Sequence, residues 1–309
     1  MMAAVSTRLS GTTIKENILD GDVAFKTLSN LVDTYNIRTI PTFFVDQSAL
    51  AEVLGCEIYY QDDVAASVRT HPVKTREDLA RLKVPNPYKD GRLPNQLKTG
   101  KLMCKRYPNH QKSGSAGGPF SLAGNLGGLE DVLMNTIADP EFVDELVDFC
   151  TVVNIELGKA QLELGCSSFF TGDPSAALLD AKSYARFAAA PIKKMIEELK
   201  VPMLLHICGD STHLIEEMCA TGISGISVDS AVDIRAIVPR VPKDVLILGN
   251  LDPIGTMLSG TPRDVIEETK ALLDKMSDVP NWRFCTGCDL PPDTPLENLN
   301  ALMEVLDNY

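Results

Sequence analysis

The sequence reads as an α/β protein, and the architecture that fits it best is a (β/α)8 TIM barrel with an irregular insertion in the N-terminal third. Two observations lead there. Short apolar runs alternate about six times with longer amphipathic ones, as expected of a parallel sheet covered by helices. The length, 309 residues, suits a barrel of about 250 residues with added loops. A doubly wound open sheet is the alternative topology. No linker clearly divides the chain, so residues 1–309 are expected to form one domain.

The strand candidates, in order, are Thr39–Val45, Ser167–Thr171, Met203–Ile207, Ile223–Val228, Val245–Leu248 and Arg283–Thr286. Several are apolar almost throughout, which suits strands buried on both faces. Between them lie helical patterns over Phe25–Tyr35, Phe142–Leu164, Ser183–Leu199, Thr212–Ala220, Pro262–Met276 and Pro295–Leu306. Asp139-Pro140, Thr261-Pro262 and Thr294-Pro295 each set a capping side chain before a first-turn proline. Thr294-Pro295-Leu296-Glu297 further reads as a capping box. The stretch from Gln61 to Asn125 shows little periodicity and much Pro, Lys and Gly, and is expected to be long loops or a small subdomain.

Composition removes several functions. Lys and Arg number 29 against 42 Asp and Glu, a formal charge of −13. Nucleic acid and anionic membranes both require clustered cations, so neither is an expected partner. No apolar run approaches the ~18 residues of a membrane span. The start lacks a basic stretch followed by a long apolar one, so a secretion signal is not expected. Eight cysteines in so long a chain read as reduced thiols of a cytoplasmic protein.

In a barrel, chemistry gathers at the C-terminal ends of the strands. The residues there are Asp173, His206 to Asp210, Asp229, Asn250, Asp252, and Cys285 to Cys288. His206 and Cys208 are two apart, so on a strand both point the same way. Cys288, 80 residues further on, would come from a later strand end. One imidazole and two thiolates would hold zinc with a fourth position left for water or substrate. The plainer reading is a buried hydrogen-bonded histidine beside a packing cysteine. Cys285-x-x-Cys288 alone can be a redox pair or half a zinc ribbon, and no second CxxC completes a ribbon. Asp173 and Asp229 can orient the histidine or enter the open metal position, or can serve as cap and turn residues. The glycines from Gly114 to Gly118 can cradle an anion at a helix start, or can simply allow tight turns. No cofactor-binding fingerprint is visible.

Leu204-Leu205-His206-Ile207-Cys208-Gly209-Asp210 resembles the metal-binding H-x-C of the cobamide-dependent methyltransferases in the uroporphyrinogen decarboxylase superfamily. Gly172 to Ala176, Gly249-Asn250-Leu251-Asp252-Pro253, the closing Gly287 to Asn298, and Gly118 to Ala123 resemble further family segments, in the family's order from about Phe44 to the C-terminus. The resemblance implies a (β/α)8 barrel and a zinc ion on His206, Cys208 and Cys288, with Asp229 where a relative can carry a carboxylate. It implies methyl transfer between a corrinoid protein and a thiol such as coenzyme M. No D-x-H-x-x-G string is present, so the corrinoid would arrive on a partner protein. A donor-side enzyme, passing methyl from an ether or amine to Co(I), and uroporphyrinogen decarboxylase are the family alternatives. Against the decarboxylase, Phe43-Phe44-Val45-Asp46-Gln47 carries no arginine where that branch binds its porphyrin carboxylates. Two further departures stand out. Asp289 occupies a position where thiol-methylating relatives often have Gly, and the family's N-terminal helices and first strand are longer than what precedes Phe25.

Overall fold

A computed structural model describes residues 2–37, 39–44 and 46–309. Nine strands run through them: β1 Thr39–Pro41, β2 Ile58–Tyr59, β3 Ser67–Val68, β4 Gln111–Gly117, β5 Ser168–Gly172, β6 Met203–Ile207, β7 Gly225–Val228, β8 Leu246–Leu248 and β9 Trp282–Arg283. β2 and β3 form a small antiparallel hairpin, and the other seven make one sheet in the order β1-β4-β5-β6-β7-β8-β9. Every pairing in that sheet is parallel. Strand order follows chain order, as winding around one interior requires.

The pleat sorts the side chains onto two faces. Phe169, Leu205, Ile226 and Ile247, all 0% exposed, enter the main apolar core outside the sheet with residues of the covering helices. Their neighbours Phe170, Leu204, Ser227 and Leu248 line an interior cavity of about 310 Å3. Thr39 and Pro41 of β1 face this same cavity, so the sheet curls round on itself. The eight-stranded closed barrel expected from the sequence is met by seven strands among the described residues. Between the two sheet edges runs the segment of residues 2–5. Ala3 packs in the cluster of Ile40 on the β1 side, and Val5 in that of Leu251 and Leu290 beyond β8 and β9.

The expected irregular insertion at 61–125 is corrected. That stretch contains the helix Leu93–Arg106, strand β4 between β1 and β5, and the helix Pro119–Gly127. Its sequence, Gln-Lys-Ser-Gly-Ser-Ala-Gly, lacks the apolar run that marks the other strands because its packing demands small residues. A Cβ on Gly114 would lie 2.8 Å from Gln161 Oε1 and 3.0 Å from the Phe169 ring. Gln161 instead grips the strand, accepting from Ser115 N at 2.7 Å and donating to Ser115 O at 2.9 Å. Lys112 is 8% exposed, and its ammonium donates to the carbonyls of Pro108 and His110 at 3.0 and 2.9 Å. The glycines from Gly114 to Gly117 are thus strand, and a turn or anion cradle is not their role. The Thr39–Val45 candidate shortens to β1, with Val45 outside the described residues.

Two of the three capping signals hold. Asp139 accepts from Phe142 N at 3.2 Å, and Thr261 forms a reciprocal box with Asp264. The box at Thr294 does not form. That helix, Leu296–Asn308, starts after Pro295 without a side-chain cap, and Thr294 Oγ1 is buried without a partner. Asn298 does related work further in, donating from Nδ2 to Met257 O at 2.9 Å and Gly260 O at 2.8 Å. The Ser183–Leu199 pattern is helical but broken by a π turn at Ala185–Ala189, just before Pro191 removes a backbone donor. No helix among the described residues is long and apolar enough to cross a membrane.

Candidate metal centre and its cavity

His206 is the fourth residue of β6, on the same pleat face as Leu204 and so turned to the interior. The strand ends at Ile207, and Cys208 continues on the His206 side. The ring of His206 is 3% exposed. Its Nδ1 lies 3.0 Å from Ser227 O, a group that only accepts, so Nδ1 carries the proton. That leaves the Nε2 lone pair facing Cys208 Sγ at 3.2 Å. The ring also stacks on Phe170, with centroids 6.3 Å apart and planes at 22°.

Cys288 reaches the same point from the segment after β9. Its Sγ is 3.8 Å from Cys208 Sγ, and the three donor atoms of His206, Cys208 and Cys288 all lie within 4.8 Å of one another. Two thiolates at about 2.3 Å from one ion at a tetrahedral angle are about 3.8 Å apart, so the sulfur spacing fits zinc. Of the two thiols, only Cys288 is shifted toward its ionised form. Cys288 is lowered to about 4, chiefly by the hydrogen bond from Cys208 and then by His206, while Cys208 is pushed up because the shared proton rests on it.

The other residues singled out from sequence are placed differently. Asp173 is 1% exposed and caps the helix Pro119–Gly127 from outside it. Its Oδ1 accepts from Ser121 N at 2.7 Å and Ser121 Oγ at 2.6 Å. Burial raises its pKa, and Oδ2 has no partner. Asp229 accepts from Gly209 N at 3.0 Å and from Ala231 N at 3.0 Å, tying the loop after Cys208 to the end of β7. Neither carboxylate belongs to the group of three donors. Cys285 lines the interior cavity and is not in that group either. Asp289, next to Cys288, is half-buried, with Oδ1 buried and without a hydrogen-bond partner; burial raises its pKa, and its Oδ2 accepts from Ala4 N at 3.3 Å.

The three donors open onto a cavity of about 180 Å3. Phe43, Phe44, Leu50, Leu122 and Phe170 make its apolar walls, and Gln47, Gln96 and Asn125 its neutral polar ones. Beside it, Asp46 is paired with Arg92, which also pairs with Glu52. Sequence reasoning missed Ser227, since a role played by a backbone carbonyl leaves no mark on residue type. It also misses Gln96, the wall residue on the helix Leu93–Arg106, because that segment shows little apolar periodicity.

A sequence profile of the uroporphyrinogen decarboxylase (URO-D) family matches residues 1–309. The chain belongs to the uroporphyrinogen decarboxylase family. Among its relatives in that family is the methylcobamide:CoM methyltransferase MtbA of Methanosarcina acetivorans, 36% identical over 271 residues that span 85% of this chain and 78% of that protein. The methylated-thiol–coenzyme M methyltransferase of Methanosarcina mazei is 32% identical over 260 residues, or 83% of this chain and 69% of that one. A solved structure of a methyltransferase from Methanosarcina mazei superposes with a TM-score of 0.89 at 23% identity, over 100% of this chain and 91% of that one. This last likeness speaks to the fold. The family fold thus accommodates the curled parallel sheet described above.

The geometry around His206 yields a direct expectation. Ser227 Oγ lies 3.2 Å from Nδ1, but the carbonyl at 3.0 Å already fixes the ring. Were the three donors to hold zinc, Ser227→Ala should change its affinity by less than about 10-fold, since groups that orient a metal-bound histidine are worth about 10–100-fold. Competition with a chromophoric chelator would measure it, and a loss beyond 100-fold would transfer the orienting role to the hydroxyl.

Proposed function

We propose that this member of the uroporphyrinogen decarboxylase family transfers a methyl group from a corrinoid carried on a separate protein to a small thiol, at a zinc ion held by His206, Cys208 and Cys288. One observation carries the reading: an imidazole nitrogen and two sulfurs from distant parts of the chain meet within 4.8 Å at the wall of a small cavity. The relatives named as methylcobamide:CoM methyltransferases supply the reaction class. The reading takes residues 1–309 as one domain and the closed (β/α)8 barrel as the family form.

His206, Cys208 and Cys288 would hold zinc with a fourth position left over, and a zinc ion there would supply a lowered pKa to a bound thiol. The chain's own residues do the rest. The Ser227 carbonyl fixes the tautomer of His206. Asp229 holds the loop that carries Cys208 through Gly209 N. Asp173 anchors the helix Pro119–Gly127, whose first turns wall the cavity at Ser121 and Leu122. In this reading both aspartates position other groups. The aromatic walls exclude water from the thiolate, which preserves its nucleophilicity. The methyl carbon of the corrinoid substrate would be the electrophile: its bond to sulfur would form in line as its bond to cobalt breaks, the electron pair staying on cobalt as Co(I).

The decarboxylase alternative lacks support in the cavity, where no Lys or Arg is among the described lining residues to meet a porphyrin's carboxylates. The test supplies the zinc-loaded protein with methylcobalamin and thiols in one arm, and with Co(I) cobalamin and methoxyarenes in the other. Demethylation of methylcobalamin that depends on thiol is expected. Turnover in the second arm alone would reassign the protein to the donor side of the transfer.

A further inference from the structure

Two cavities lie one above the other along the inside of the curled sheet, and the strand register gives their depths. At the C-terminal ends, Gly117 of β4 pairs with Gly172 of β5, and Gly172 with His206 of β6. These three form the upper layer of inward-facing positions. One step down the pleat come Ser115, Phe170 and Leu204, again paired in that order. Ser113 and Ser168 follow beneath them. The upper layer lines the cavity of about 180 Å3 at the three donors. Leu204, Ser113 and Ser168 line the interior cavity of about 310 Å3.

Four residues face both spaces: Phe43, Ser115, Phe170 and Asp289. Two of them are phenyl rings, and these form the bulk of the partition. Phe170 lies directly against a donor, its ring stacked on that of His206 with centroids 6.3 Å apart and planes at 22°. Its partner on β4, Ser115, is small. The Phe170 ring therefore supplies most of the floor on that side of the lumen.

The lower cavity suits hydrocarbon. Leu31, Ile37, Ile40, Pro41 and Leu248 give it apolar surface. Its hydroxyls are largely committed: Ser113 Oγ donates to Gly114 O at 3.0 Å, Thr42 Oγ1 to Ser113 O at 2.6 Å, and Ser168 Oγ to Lys112 O at 3.4 Å. A polar group entering there would lose water and regain few hydrogen bonds, whereas a methylene would gain by leaving water.

Resting on the methyltransferase reading above, we propose that Phe170 sets the length of the thiol accepted at this site: its ring floors the cavity at the donors, confines the acceptor to a compact tail, and shuts that tail off from the apolar space beneath. A longer tail has to turn back toward the C-terminal ends of the strands, the side from which a methyl-carrying protein reaches the sulfur. The limit is on length and leaves the end group of a two-carbon tail open. Phe170 is a specificity residue here and takes no part in the bond exchange.

The test pairs ethanethiol with 1-hexanethiol, each titrated calorimetrically into the zinc-loaded protein and assayed as methyl acceptor from methylcobalamin. The unaltered protein is expected to favour ethanethiol by at least about 10-fold in kcat/KM. Phe170→Ala joins the two cavities and should reverse the order, because each methylene buried in the lower one is worth about 4-fold in affinity. The change should fall on KM rather than kcat. Phe170→Leu, which keeps an apolar wall beside His206, should give an intermediate preference. Adding Ser168→Phe to Phe170→Ala refills the lower cavity and should bring back the preference for ethanethiol. Equal use of both thiols by the unaltered protein would overturn the proposal, and so would an unchanged preference in zinc-replete Phe170→Ala and Phe170→Leu; in either case methyl transfer to thiols stands. A reversal that survives Ser168→Phe also defeats it, since the tail then lies outside the lumen. If the unaltered protein neither binds nor methylates ethanethiol, the methyltransferase reading falls and the role of Phe170 goes with it.

Discussion

Cys208→Ala is expected to cut bound zinc from about one equivalent to under about a tenth, and to lower thiol-dependent demethylation of methylcobalamin by about 1000-fold. The reason is geometric. Cys208 Sγ is the middle donor, 3.2 Å from His206 Nε2 and 3.8 Å from Cys288 Sγ, so its loss leaves two donors that no longer enclose an ion. Metal content by atomic emission and single-turnover demethylation read the two effects separately. Cys285→Ala is the control, because Cys285 faces the interior cavity instead, and it should retain its zinc. Full zinc in the Cys208 variant, or its loss in the Cys285 variant, would show that the donor set is wrong.

A second large effect should come from a residue with no side chain. Gly118→Ala would place a Cβ 2.2 Å from Asp173 Cγ and 2.3 Å from Asp173 Cβ. Asp173 cannot retreat, since it is fully buried and its Oδ1 is fixed by Ser121. Either the helix Pro119–Gly127 shifts or the carboxylate leaves its donors. Overpacking of this kind costs about 3 kcal/mol, and in a chain this long that lowers Tm by on the order of 5 °C. Urea unfolding of Gly118→Ala, Asp173→Gly and the pair would check the cause. The double variant should lose less than the sum of the single losses, because the clash exists only when both side chains are present. Strict additivity would place the strain elsewhere.

How far the sequence revealed this molecule depends on where the information resides. β6 and β7 were legible because Met203–Ile207 and Gly225–Val228 are buried on both faces, and burial on both faces writes a continuous apolar run. β4 was not, because its close contacts with Phe169 and Gln161 select glycine and serine, residue types that otherwise mark loops. The spacing of His206 and Cys208 was readable from the pleat alone. That Cys288 and not Cys285 joins them follows from the family resemblance and not from the pleat, since both follow β9 and only the path of the loop separates them. The Thr294 box failed because Thr294 is itself buried under the helix start, where packing overrides the local hydrogen-bond pattern. Asp173 shows the limit most clearly. Its type and position at a strand end suit chemistry and capping equally well, and only the location of Ser121, far away in sequence, distinguishes them.

The segment of residues 2–5 gives the centre a mechanical neighbour. Ala3 and Val5 belong to the apolar clusters of opposite sheet edges, and Ala4 N is hooked to Asp289, one peptide away from Cys288. The clasp that joins the two edges and the proposed metal ligand Cys288 therefore share a fastening point. Anything that binds only when Cys288 is in place tightens that clasp by mass action, so occupancy at the mouth and integrity of the wall rise and fall together.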